Sequence, residues 1–315
     1  MADVAYIPGE PGHERRPAVG YAMVISAALL FALNGTVSKV VLQSGITSLE
    51  LTQVRATGAF LGFAVVLAFT RRESLRLRRR EVPYLVVFGI AGVAMVQWLY
   101  FVSIGRLPIG IALLIEYLAP ILIAIWAWSV FKEQVRHRIW VALVLALAGL
   151  SLVVEIWSGI SLNGLGVAAA LAAAGAYAVY VLMAERAVQH RDPASLTCYG
   201  FLFAALFWAA VQPLWGFPAG RLGDSVSLLG RLEGLELPVW ALMLYVVVAG
   251  TMVTFLLVAA ALRHISATRV GILAMLEPVA ASGVAYAWLG ETFGGFQLAG
   301  GAVVLVAILL AQTAR

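Results

Sequence analysis

From Ala18 almost to the C-terminus the chain is one apolar run of about twenty residues after another, with joins as short as Gly105-Arg106-Leu107 and His264-Ile265. A helix rises 1.5 Å per residue, so about 20 apolar residues match the hydrocarbon core of a bilayer. Backbone groups in that core have no water to bond, which points to a bundle of spanning helices. Composition agrees: hydrophobic residues make up 63% of 315 and charged residues 12%. A soluble domain has roughly 45–50% and ~25%, so no soluble fold of this length can cover so much apolar surface. The expectation is an all-α integral membrane protein, placed in a bacterial plasma (inner) membrane. The first run follows a polar tail at 1–17 and is longer than a signal-peptide core of ~7–15 residues, so it reads as a retained helix. Cys198 is the only cysteine and can form no internal disulfide.

Ten candidate spans follow, at 18–42, 47–69, 82–104, 107–130, 136–156, 161–184, 194–216, 237–262, 266–289 and 294–313. Their flanks are unequally charged. Of 21 Lys and Arg, the loops and tails of one side hold fifteen: Arg15, Arg16, Arg71, Arg72, Arg76, Arg78, Arg79, Arg80, Lys132, Arg136, Arg138, Arg186, Arg191, Arg263 and Arg315. The other side holds Arg106, Arg221 and Arg231, and Lys39, Arg55 and Arg269 fall inside spans. The positive-inside rule then puts both termini in the cytoplasm. The dense run Arg71 to Arg80 is read as topology and contact with anionic lipid head groups. The loop 217–236 is read as a connection.

The chain also repeats itself. The run from Gly110 to Glu116, Tyr117 and Pro120 is answered by the run from Gly271 to Glu277 and Pro278. Aligning the prolines gives an offset of 158, which also carries Glu133 onto Glu291. The third and eighth spans match at 157, where Met95-Val96-Gln97-Trp98-Leu99 parallels Met252-Val253-Thr254-Phe255-Leu256. A near-constant offset between equal sets of segments is the signature of an internal duplication. Five spans per copy is an odd number, so the second copy enters the membrane from the opposite side. Inverted repeats of this kind are common in secondary transporters, with the substrate near the midplane between the halves.

These residues resemble the drug/metabolite transporter superfamily in its ten-helix form with two EamA domains. The resemblance is carried by the prolines of the fourth and ninth spans and the segment ends Phe131-Lys132-Glu133 and Leu289-Gly290-Glu291. It implies a first EamA repeat at 18–156 and a second at 161–313. Gly110-Ile111-Ala112 leading to Glu116 and Pro120, with Glu277-Pro278, is most similar to threonine/homoserine exporters; aromatic amino acid exporters are more distant. The family relationship implies outward movement of amino acids, other metabolites or drugs.

Glu116 and Glu277 lie about 14 Å and about 17 Å inside their spans at 1.5 Å per residue. A charge at that depth costs about 2.5–3.5 kcal/mol on insertion scales, and such a residue faces the bundle interior or a wet cavity. Each acid is a proton acceptor, a binder of a substrate ammonium group, or both; the alternative is a protonated or internally bonded acid that ties two helices together. Pro120 and Pro278 each remove a backbone hydrogen bond. They read as hinges or ligand-facing breaks, or as ordinary kinks. Arg55 lies about 10 Å into its span. It either binds a substrate carboxylate bidentately or pairs with Glu50 or Glu116. Asn34, Gln97, Trp98, Tyr100, Tyr117, Tyr177 and Tyr180 are candidate cavity residues, although aromatics in membrane bundles also serve as packing and interface anchors. The small-residue runs Ala168 to Gly175 and Gly300-Gly301 suggest close helix contact.

No Walker-type Gly-rich motif with Lys-Ser/Thr, no His-Glu-x-x-His and no Gly-x-Ser-x-Gly turn occurs in the sequence. Nothing therefore suggests an ATPase, a metalloprotease or a serine hydrolase, and no cofactor or metal is expected. The expectation is a secondary transporter, not an enzyme, exporting a small molecule by alternating access. Membrane lipids are partners, protons are the candidate coupling ion, and no nucleic acid is implied. A non-transporting scaffold or receptor and a lipid-modifying membrane enzyme are the alternatives.

Overall fold

The computed structural model describes residues 16–104, 106–107, 109–130, 132, 136–154, 163–212, 216–290 and 294–313. Glu133 and Glu291 lie outside the described residues. In chain order the helices are α1 (Pro17–Gln43), α2 (Ser48–Thr70), α3 (Val82–Val87), α4 (Met95–Ile104), α5 (Ile109–Glu116), α6 (Ala119–Ser129) and α7 (His137–Val154). They continue with α8 (Gly164–Ala187), α9 (Pro193–Val211), α10 (Val239–Val247), α11 (Thr254–Ala261), α12 (Ala267–Ala274), α13 (Leu276–Val284) and α14 (Gly295–Thr313). Among the described residues, eight segments are long and apolar enough to cross a membrane. Two shorter apolar helices, His137–Val153 and Gly295–Ala311, occupy the places of the expected fifth and tenth spans.

Local chemistry starts these helices. Thr47 caps α2: its hydroxyl accepts the Glu50 N–H at 3.2 Å, and the Glu50 carboxylate accepts the Thr47 N–H at 2.6 Å. This reciprocal pair satisfies two of the four orphan donors of a helix start. It also commits Glu50 to the cap, so that acid is not the partner of Arg55. Asp192 caps α9 by accepting the N–H groups of Ala194 at 3.1 Å and Ser195 at 3.2 Å, with Pro193 in the first turn.

The expected spans 107–130 and 266–289 are not single α-helices. The first breaks between α5 and α6, the second at Met275 between α12 and α13. Both breaks have one cause. A proline lacks the N–H that would bond the carbonyl four residues back, and its ring presses on that carbonyl. Four residues before Pro120 is Glu116, where α5 ends; four before Pro278 is Ala274, where α12 ends. The third and eighth spans are altered differently. Each carries a π-helical segment, Phe88–Ala94 and Val248–Val253, between its two α-helical parts.

The two copies are interlaced. α1 packs on α10, α11, α12 and α13, α2 packs on α9, and α8 packs on α4, α5 and α6. A close backbone approach joins α7 to α14: a Cβ added at Gly300 would lie 2.5 Å from the Gly149 carbonyl oxygen. The expected close contact at Gly300-Gly301 is therefore present at Gly300. Gly175 differs, with nothing within 4 Å of an added Cβ.

At the arginine-rich end the loop after α2 is stitched to the start of α9. Arg191 forms an ion pair with Glu81, donates to the Ser195 hydroxyl at 3.0 Å and the Arg76 carbonyl at 3.4 Å, and stacks 4.8 Å from the Tyr199 ring centroid. Arg71 pairs with Asp192 at 3.0 Å, and Arg263 donates to the carbonyls of Val188 and Arg191, both at 3.1 Å. At the other end, loop 217–236 is more than a connection. It forms a two-stranded antiparallel ribbon, β1 (Ser225–Ser227) with β2 (Glu236–Pro238). Trp288 donates to its Leu228 carbonyl at 2.7 Å, and Arg221 reaches the Ser44 carbonyl at 2.9 Å.

Candidate functional site

The two helix breaks and one π-helical segment bring the charged side chains together. Glu116 closes α5, and Tyr117 falls in the gap that follows. Across from it Glu277 sits in the first turn of α13. The Tyr117 hydroxyl donates to a Glu277 carboxylate oxygen at 2.9 Å, which joins the two broken spans directly. A close apposition joins the same two spans: a Cβ on Gly271 of α12 would meet the Pro120 ring at 3.2 Å. The prolines thus mark the place where the fourth and ninth spans meet.

Arg55 enters from α2. Its Nε donates to the Thr251 hydroxyl at 3.0 Å, and that hydroxyl, in the π-helical segment, donates in turn to the Val246 carbonyl at 2.7 Å, five residues back in α10. Arg55 also interacts electrostatically with Glu277 and Tyr100. Of the alternatives for this arginine, the bond to Thr251 and the field of Glu277 are what the fold provides; neither Glu50 nor Glu116 takes it. Glu116 and Glu277 interact with each other, and both act on Tyr100 and Tyr177. The acids, Arg55, Tyr100 and Tyr177 are half-buried, so part of each side chain stays open although they lie deep in their spans. Asn34 is buried at the edge of the group, where a Cβ on Gly250 would lie 1.9 Å from its side-chain oxygen.

Not every candidate joins the cluster. Trp98 is 39% exposed, about 100° round α4 from Gln97, and turns away from the packed interior. Tyr180 is a packing residue: it stacks on Phe88 at 5.4 Å and meets Phe255 edge-on at 5.5 Å. Arg269 lies in the first turn of α12 and reaches the Tyr21 hydroxyl at 3.3 Å, and Lys39 is exposed. Thr251 is the residue that sequence reasoning missed. A hydroxyl in an apolar span ordinarily bonds its own helix, so nothing in the run Gly250-Thr251-Met252 distinguishes it. The same holds for the π-helical segments. No group of three or more His, Cys, Asp or Glu among the described residues is placed to hold a metal ion.

A duplicated bundle of apolar helices, with opposite charges gathered where broken spans from both copies meet, is the architecture of a polytopic membrane transporter. Comparison with known proteins agrees. The EamA-like transporter family model matches residues 18–155 and again 164–313, and the chain belongs to that family. It is 30% identical over 290 residues to an uncharacterized transporter of Archaeoglobus fulgidus, covering 92% of this chain and 94% of that one. It is 27% identical over 319 residues to the threonine/homoserine exporter RhtA of Escherichia coli, covering 97% and 96%. A protein of known crystal structure shares the fold with a TM-score of 0.76 at 17% identity, covering 93% of this chain and 96% of that one. The protein is thus a membrane transporter. Its construction from helices rather than a closed barrel is that of the inner membrane.

Proposed function

We propose that the protein exports a small zwitterionic metabolite, an amino acid, by alternating access. One observation carries this reading: Arg55 and Glu277, of opposite charge, are gathered with Glu116 and Tyr117 deep in the bundle and remain reachable. An amino acid presents one carboxylate and one ammonium group. The planar guanidinium of Arg55 offers the fork that a carboxylate takes bidentately, and its bond to Thr251 orients that fork. Glu277 takes the ammonium group, with the Tyr117 hydroxyl holding the carboxylate in place. Glu116, beside them, carries the proton that couples the cycle. The kinship with RhtA supports an amino acid as cargo and the outward direction.

The ten helices form two inverted five-helix halves with both termini in the cytoplasm. They rock about the site, and the helix breaks at Pro120 and Pro278 absorb the bending. The test is counterflow of labelled threonine and other amino acids into proteoliposomes. Wild-type protein is expected to accelerate counterflow, and Glu277→Gln to abolish it. Glu116→Gln is expected to keep exchange but lose its response to an imposed pH gradient. If no amino acid enters wild-type vesicles, or Glu277→Gln exchanges normally, the reading is wrong.

A further inference from the structure

Gln97 has a buried amide that the protein leaves unbonded. The residue is 6% exposed, and neither its side-chain oxygen nor its nitrogen has a hydrogen-bond partner. An unmade bond to a buried polar group costs about 1–3 kcal/mol, so a bundle that retains such a group has a reason to keep it. Its position on α4 indicates the reason. Tyr100 follows by three residues and shares its face of the helix. The electrostatic partners of Tyr100 are Glu116, Glu277 and Arg55. The Gln97 Cα therefore lies about 4.5 Å along the helix axis from that of Tyr100, on the face that carries Tyr100 towards the charged cluster.

The repeat supplies an internal comparison. Thr254 occupies the matching place in the eighth span, at an offset of 157. It is fully buried as well, but its hydroxyl donates to the Thr251 carbonyl at 2.9 Å. The second copy satisfies its polar group within its own helix, and the first copy does not. The asymmetry sits on the amide, an uncharged group with two N–H donors and a carbonyl acceptor.

We infer that Gln97 determines specificity by bonding a neutral hydrogen-bonding group, a hydroxyl or carboxamide, on the side chain of the transported amino acid. The inference rests on the amino-acid reading above. Arg55 and Glu277 take the two charges common to all such substrates and cannot tell one side chain from another. A buried amide with both polar atoms unbonded can, because an apolar isostere leaves it unpaired.

The experiment is transport by reconstituted full-length protein of threonine and of valine, which replaces the hydroxyl by a methyl group. Wild type is expected to prefer threonine. Gln97→Leu is expected to cut that preference about tenfold or more, through KM for threonine, while valine transport is kept. Gln97→Asn, which restores a shorter amide, is expected to recover part of the preference. If Gln97→Leu slows both substrates alike and leaves their ratio unchanged, Gln97 is a packing residue and the inference falls alone. If wild type carries neither amino acid, the amino-acid reading fails first and takes this inference with it.

Discussion

Glu116, Glu277 and Arg55 are each costly at the depth they occupy, and for Glu277 and Arg55 the cost is offset in different ways. Insertion scales put an ionised side chain at mid-membrane at about 2.5–3.5 kcal/mol. Glu277 has the Tyr117 hydroxyl at 2.9 Å and the field of Arg55. Arg55 has Thr251, which is itself anchored to the Val246 carbonyl of α10. A bond made through Nε fixes the plane of the guanidinium, which a lysine ammonium cannot reproduce. Arg55→Lys keeps the charge and loses the fork, and is expected to raise the KM for an amino-acid substrate about tenfold or more while the protein still folds. Counterflow kinetics beside a thermal melt measure both; an unchanged KM would remove the carboxylate from Arg55. All three charges stand out in the sequence, because an ionisable residue inside an apolar run is conspicuous. Thr251 does not, because a hydroxyl is cheap in a helix until a partner arrives from another span.

At the scale of elements, the segment ends show the duplication in backbone form. Gly290 stops the ninth span in the left-handed region with φ 76°, and Lys132, 158 residues earlier, has φ 55°. Glycine adopts that conformation freely, whereas a side chain puts Cβ against the carbonyl at a cost of roughly 1–2 kcal/mol. Lys132→Gly is expected to stabilise the protein by about 1 kcal/mol, less the extra freedom that glycine has in the unfolded chain. A higher midpoint in thermal or denaturant unfolding in detergent would bear this out, and a lower one would show that the lysine side chain contributes more than its backbone costs. The helix breaks were half legible. Pro120 and Pro278 announce disturbed helices, but a proline produces a mild kink or a full break according to how its neighbours hold the freed carbonyl. Here α5 and α12 end at the residue whose carbonyl lost its donor.

For the whole molecule, the stitched arginine-rich end is the largest polar construction outside the candidate site. Arg191 holds Glu81, Ser195 and Arg76 together, and Arg263 clasps the backbone on which Arg191 stands. Cys198, about one and a half turns into α9 and 1% exposed, reports on that end as the single cysteine of the chain. Wild-type protein is expected to react slowly with a maleimide, and Arg191→Ala severalfold faster, because the loop after α2 is then released. Equal rates would show that the loops hold this end closed without Arg191. Among those loops, Arg71 to Arg80 reads from sequence only as a run of positive charge; the partners of Arg71 and Arg76 lie more than a hundred residues away, beyond any local signal. Class, membrane setting, duplication and buried acids all follow from the order of residues, since apolar length, spacing and misplaced charge are local quantities along the chain. Which helix of one copy lies against which helix of the other, how Arg55 finds Thr251, and that the Gln97 amide is left unbonded depend on side-chain packing between distant segments, and that is settled in space.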